Sequence, residues 1–322
     1  MDGTIRYETW GTLAPAKDNA ILLFTGLSPS AHAASSPENP ESGWWEGLIG
    51  SGLALDTDRF FVICINSLGS CFGSTGPLSV NPSTGAPYAD TFPEIAVEDI
   101  ASGGCAVLDH LGIACVQAVV GSSLGGSVVL AFVARHPSRA RRLVSISGTM
   151  AAAAHAIAVR SIQREAVAHD PVEGLRLARK LGTITYRSAQ EFTQRFNRQR
   201  SVMGGDFAVE DYLTQQADKF VMAFDPLSYH RLSRAIDLFD LSEHGPPVKV
   251  FREAKLQSAL VIGVEEDWLF TINEQAQIAH ALYEAGVVTH FERLSSLYGH
   301  DAFLAEQSRF NEILYRWIRQ AA

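Results

Sequence analysis

Basic residues are scarce in this chain of 322 residues. Lys and Arg number 26 against 35 Asp and Glu, giving a net charge of −9, and no dense basic run occurs. That balance excludes a nucleic-acid binder held by phosphate contacts and a protein drawn to anionic lipid. Long apolar runs are missing too, so no bilayer-spanning helix is expected. The opening MDGTIRYETW has neither the basic nor the apolar region of a secretory leader, and a cytoplasmic protein is expected. Cysteine is sparse: Cys64, Cys71, Cys105 and Cys115 form no CxxC pair and have no His partners at zinc-finger spacing. Neither a structural zinc nor a disulfide frame is expected. No glycosylation sequon is present, since Asn81 is followed by Pro82. The 19% of charged residues is set against 47% hydrophobic ones, which excludes wholesale disorder. The length suggests about two structural units.

Short apolar runs alternate with longer helical patterns, as in a parallel sheet covered by helices. Strands are expected at Ala20 to Phe24, Phe60 to Ile65, Val116 to Val120, Leu143 to Ile146, Ala259 to Ile262 and Val288 to Leu294. Thr4 to Trp10 alternates polar and apolar and suits an antiparallel edge strand. Helices are expected at Glu94 to His110, Leu124 to His136, Asn273 to Ala285 and Ala302 to Arg319. In the last of these, Phe303, Phe310, Leu314 and Trp317 form a core stripe. Thr149 to His244 breaks the alternation: it is rich in Ala, Arg, Gln and Glu and reads as helices without strands. The expected organisation is therefore an α/β core of residues 1–148 and 245–322 with a helical cap, 149–244, over a cleft.

Gly121-Ser122-Ser123-Leu124-Gly125 matches G-x-S-x-G, directly after an apolar run and directly before a helical one. On such a strand-to-helix turn the central Ser is strained, exposed and close to a helix N-terminus that favours developing negative charge. A serine hydroxyl is a weak nucleophile at neutral pH and needs an oriented base. The partners should follow in the order Ser, acid, His. His300, in a loop after the last strand, is the candidate base. His136, His280 and His290 fall in helix or strand patterns, whereas His32 lies in a loop and competes. Among Glu265-Glu266-Asp267, Asp267 is the candidate acid and Glu266 its rival. Two backbone N–H groups should hold the tetrahedral oxyanion, one from Leu124 and one from Gly26-Leu27-Ser28. Gly69 to Gly76 is glycine-rich but lacks the Lys of a phosphate loop, and no nucleotide role is assigned to it.

Taken together, these segments resemble a known family. GWWEGLIGSGLALDTDRFFVICINSLGSCFGSTGP, NPSTGAPY, GSSLGGS, ARKLGTITYRS, EEDWLF and YGHDAFL, in this order, are similar to the homoserine O-acetyltransferase family of α/β-hydrolase-fold acyltransferases. YETWGTLA, FTGLSPSAHA and INSLGSC are most similar to its serine-using branch. The resemblance implies an α/β-hydrolase fold and transfer of an acyl group from acyl-CoA to the side-chain hydroxyl of L-serine or L-homoserine, by a ping-pong route through acyl-Ser123. It implies Ser123 as nucleophile, His300 as base, Asp267 as acid, and Leu27 with Leu124 as oxyanion donors. It further places Asp301 at the substrate ammonium, and Arg179 with Tyr186 at its carboxylate. An amino acid zwitterion does call for one carboxylate and one guanidinium fork. Acyl-CoA is the implied co-substrate, with no metal or tightly bound cofactor, and a homodimer is implied.

Two departures from the family pattern stand out. Asp170-Pro171-Val172-Glu173-Gly174 passes almost straight into the ARKLG block, so the cap is shortened, and the chain begins within what is an N-terminal hairpin in relatives. Position 269 is Leu where succinyl-transferring homoserine enzymes often carry Arg; lacking that cation, acetyl is the expected group. The other readings are an esterase or thioesterase with the same triad, if water reaches the acyl-enzyme, and a non-catalytic descendant. The donor, the acceptor and the pathway served stay open at this point.

Overall fold

A computed structural model of the chain describes residues 3–320. Strands form where the sequence offers short apolar runs. Strand β1 is Tyr7–Trp10, β2 Ala20–Phe24, β3 Ile49–Gly50, β4 Leu55–Asp56, β5 Phe61–Ile65, β6 Ala118–Ser122, β7 Arg142–Ile146, β8 Ser258–Val264 and β9 Val288–Leu294. Seven of these make one sheet in the order β1-β5-β2-β6-β7-β8-β9. Every pairing in it is parallel except β1 with β5, so Tyr7–Trp10 is the expected antiparallel edge. Side chains alternate across the pleat. Leu22 and Phe24 join the core on one face, while Ile21 and Leu23 face Trp45, Phe310, Leu314 and Trp317 on the other. Every residue of β2, β6, β7 and β8 is buried. This double burial is why these strands read as continuous apolar runs rather than alternating ones.

The helices are α1 Val97–Leu111, α2 Leu124–Arg135, α3 Ala154–His169, α4 Pro171–Tyr186, α5 Ala189–Phe196, α6 Ala208–Ala223, α7 Pro226–Leu238, α8 Pro247–Glu253, α9 Ile272–Glu284, α10 Ala302–Ala305 and α11 Gln307–Gln320. Helices α3 to α7 occupy the segment that breaks the strand-helix alternation. Helix α4 starts where Pro171 can tolerate a missing N–H, capped by the Asp170 side chain accepting from Val172 and Glu173 N–H. Leu175, Ala178, Phe220, Tyr229 and Leu232 from these helices are buried in the same apolar cluster as α1 and α2. These helices and the sheet therefore share one core.

Several boundaries differ from expectation, the edge strand among them, which begins at Tyr7 and not at Thr4. The strand expected from Val116 begins at Ala118, because Val116 makes only an isolated bridge to Ala140. The first long helix starts at Val97, not Glu94, with the Asp99 side chain accepting from the Ala96 N–H. The terminal helix is two pieces separated at Glu306. Its apolar stripe is nonetheless buried throughout. The four cysteines are free, and Cys64 is fully buried as a small apolar residue, which pushes its thiol far above its ordinary range.

Candidate active site

The turn between β6 and α2 is built by close backbone approach. A Cβ on Gly121 would lie 2.1 Å from the carbonyl oxygen of Gly125, so only glycine fits. Ser123, between them, has φ +57 and ψ −120, a conformation that side-chain-bearing residues seldom adopt. The strain is held by the Ser123 N–H donating to Ile146 O at 2.9 Å. Gly121→Ala is expected to destabilise the protein by roughly 3 kcal/mol or more through this clash, read as a lowered thermal midpoint.

Ser123 meets two residues from far along the chain. Its hydroxyl lies 2.8 Å from His300 Nε2, and His300 Nδ1 lies 2.7 Å from Asp267 Oδ2. An ionised carboxylate can only accept, so Nδ1 carries the proton and Nε2 is left to accept from Ser123. Asp267, whose side chain is fully enclosed, is fixed in turn by the N–H groups of Leu269 and Phe270, both donating to Oδ1. The imidazole is clamped by the rings of Phe270, Tyr186 and Phe303, at 4.9, 5.6 and 5.8 Å. Burial works against the imidazolium. The charge and hydrogen bond of Asp267 outweigh it, Asp301 adds to them and Arg160 opposes, so His300 is raised above its ordinary 6.5. Protonated His300 cannot accept the Ser123 proton. Activity limited by this base is therefore expected to fall as pH drops through a value above 6.5, a limb read from kcat/KM against pH.

The rivals sit elsewhere. Glu266 accepts from Ser295 Oγ and the Ser296 N–H, which ties it to the loop after β9. His32 binds Glu8 and the carbonyl of Glu41. His136 ends α2, and His290 lies on the outer strand beside Glu292. The Gly69 to Gly76 loop is structural: the carbonyl of Phe72 accepts from Asn66, whose Oδ1 accepts in turn from the Ala31 N–H.

A cavity of about 280 Å³ opens at Ser123, lined by Leu27, Arg179, Tyr186, Arg187, His300 and Asp301 among others. All the remaining expected site residues except Leu124 line it. Leu124 is the first residue of α2, where a helix N–H has no intrahelical partner. Gly26 brings the other expected donor loop close, its notional Cβ 3.8 Å from that of Ser123. The Arg179 guanidinium lies over Phe220 at 4.8 Å and Tyr186 at 6.0 Å, and its Nε has no partner among the described residues. Asp301, expected at the substrate ammonium, accepts from Arg187 Nε at 3.0 Å through one of its two oxygens.

Sequence reasoning missed part of what surrounds Ser123. A smaller cavity there is lined by Ser123, His300, Leu269, Arg160, Gln163 and Tyr229. Arg160 and Arg164 both pair with Asp237, leaving one surplus positive charge in a largely buried cluster. Arg160 Nη2 has no partner among the described residues. Arg160 lies in an ordinary helical pattern with several other arginines nearby, so nothing in the chain marked it. Among the described residues no group of three or more His, Cys, Asp or Glu is placed to hold a metal, and no helix is long and apolar enough to cross a membrane.

The α/β hydrolase fold family matches residues 19–307. The chain belongs to that family. Within this family it is 47% identical to a serine O-succinyltransferase of Litchfieldella anticariensis, over 99% of this chain and 93% of that protein. The crystal structure of a homoserine O-acetyltransferase from Bacillus anthracis superposes with a TM-score of 0.89 at 25% identity, covering 98% of this chain and 91% of that one. An esterase structure matches equally well, with a TM-score of 0.89, 25% identity and coverage of 98% and 94%. This α/β-hydrolase-fold protein is an acyltransferase, as the names of its relatives state.

Proposed function

We propose that the protein is a serine O-succinyltransferase: it moves the succinyl group of succinyl-CoA to the side-chain hydroxyl of L-serine through a succinyl-Ser123 intermediate. In the first half-reaction Ser123 Oγ attacks the thioester carbonyl and its proton passes to His300 Nε2, while Asp267 holds the ring. The N–H groups of Leu27 and Leu124 receive the oxyanion. Its collapse breaks the carbon–sulfur bond, and the CoA thiolate leaves, taking the proton. In the second, the serine hydroxyl gives its proton to His300 and attacks the ester, and Ser123 departs with that proton. Arg179 and Tyr186 serve the serine carboxylate and Asp301 its ammonium. Residues 149–244 act as the cap over the core of 1–148 and 245–322, excluding water from the acyl-enzyme.

Arg160 is the observation that carries the choice of acyl group. Serine attacking a succinyl-enzyme brings together two carboxylates and one ammonium. Arg179 and Asp301 answer the zwitterion; Arg160, a buried cation that lines the smaller cavity at Ser123 and has an unpaired Nη2, answers the second carboxylate. The argument for acetyl rested on Leu269, which lines the same small cavity as Arg160. A cation is therefore at hand from the cap, and the name of the L. anticariensis relative agrees with it. The acting form is proposed to be a homodimer in the cytoplasm. Leu177 and Ile184, seven residues apart on one face of α4 and both exposed, offer an apolar surface for pairing.

The test is release of CoA thiol from succinyl-CoA or acetyl-CoA, each with L-serine, L-homoserine or no acceptor. Release that requires serine and is fastest with succinyl-CoA supports the proposal. Equal release without an acceptor overturns it and favours hydrolysis, the chemistry that the esterase likeness keeps in view.

A further inference from the structure

The C-terminal end of α4 is fastened to the loop that carries the base. Ser188 donates to the Leu297 carbonyl twice, from its N–H at 3.2 Å and its hydroxyl at 2.7 Å. Gly299, one residue before His300, has φ +53, and a Cβ there would lie 2.7 Å from the carbonyl of Tyr186. Between these two fastenings stands Arg187. Its Nε donates to Asp301 Oδ2 at 3.0 Å, its guanidinium lies 5.1 Å from the Tyr298 ring centre, and its Nη1 is 3.4 Å from Glu191 Oε1. Glu191 is 7% exposed, so the far end of this chain of charges is buried as well. Arg187 and Asp301 are 16% and 20% exposed, which lets their attraction act through little water.

We propose that Arg187 is a positioning residue: by holding one oxygen of Asp301 it presents the other to the ammonium of the acceptor, and it shields His300 from the full charge of that carboxylate. The inference rests on the proposed role of Asp301 at the acceptor ammonium. A carboxylate with two free oxygens can rotate and hydrate, whereas one tied at Oδ2 has a single direction left for a ligand. The shielding has a definite sign. The groups facing His300 are Asp267, Ser123 and Asp301, the guanidinium of Arg160, and the rings of Tyr186, Phe270 and Phe303. Removing Arg187 leaves Asp301 unopposed, which favours the imidazolium; removing the Asp301 charge does the reverse.

The experiment compares Arg187→Gln, Arg187→Lys and Asp301→Asn in the full-length protein, measuring the acceptor-free burst of CoA thiol and the serine-dependent steady state separately. For Arg187→Gln the serine KM is expected to rise about tenfold, while the burst rate above the pH limb stays within about twofold of wild type. The burst limb is expected to move to higher pH in Arg187→Gln and to lower pH in Asp301→Asn, with Arg187→Lys returning toward wild type. Limbs that move in the same direction in Arg187→Gln and Asp301→Asn overturn the proposal. So does an unchanged serine KM, or a burst that falls at every pH together with the thermal midpoint, which would mark a role in folding only. A wild-type enzyme whose turnover ignores serine would instead sink the proposed function, and the opposed limb shifts remain readable in its burst.

Discussion

Ser123→Ala is expected to lose roughly 10⁴-fold or more of CoA release, whichever acceptor is present, because no other group occupies its place. The size follows from the role. The serine forms the covalent bond on which both half-reactions depend, and His300 has nothing to activate once the hydroxyl is gone. Replacing His300 in the same background should add little, since members of a triad act as a unit. The substitution is structurally mild: Ser123 keeps its backbone bond to Ile146, and Ala deletes one oxygen from a cavity wall. The thermal midpoint should stay near wild type. A variant that folds and still releases CoA at the wild-type rate would remove Ser123 from the mechanism.

Arg160→Met is expected to lower kcat/KM for succinyl-CoA by roughly a hundredfold while leaving acetyl-CoA within a few-fold of its wild-type value. Methionine retains much of the length and fills the space, so the change tests charge more than volume. Asp237 is not stranded, because Arg164 Nη1 lies 2.6 Å from its other oxygen. One cation and one anion then remain where two cations shared one anion. A carboxylate bound only by the lost cation would be buried without a partner, which is why the penalty falls on succinyl and spares acetyl. Equal losses with both donors would mean that Arg160 shapes the cavity and does not read the acyl group. The same variant should also shift the His300 limb upward, since Arg160 opposes protonation of that ring.

The chain discloses the line of Ser123, Asp267 and His300 more readily than its pockets. Ser123, Asp267 and His300 could be singled out because each follows an expected strand, and the architecture requires its chemistry beyond the ends of parallel strands. The same logic separated Asp267 from Glu266 only by position. The structure separates them by partners, since Glu266 spends both oxygens on Ser295 and Ser296. Strand edges were less legible: the run Val116 to Val120 begins ahead of the true start at Ala118 because burial, not pairing, selects apolar residues. Glu306 interrupts the last helical stripe without disturbing its period, so the break left no mark.

Binding residues were harder for a physical reason. Arg179, Tyr186 and Asp301 were reached through a family resemblance, and the cavity at Ser123 contains all three. Arg160 and Tyr229, more than sixty positions apart, come from α3 and α7, which meet only in the folded chain. A surplus cation shared between Arg160, Arg164 and Asp237 is a property of three-dimensional pairing, and two arginines one turn apart on a helix read in sequence as a solvated face. The Arg187–Asp301 contact was hidden in the same way. It spans 114 positions and became visible only with the α4 end seated on the His300 loop.

The central claim is that Ser123 carries the acyl group until serine takes it. Its most direct measurement is the intact mass of the protein mixed with succinyl-CoA alone, followed by a chase with L-serine or with buffer. The account predicts one succinyl group on the protein, located on Ser123, stable in buffer and discharged by serine as O-succinylserine. No adduct at all, or an adduct that water removes as fast as serine does, would contradict it.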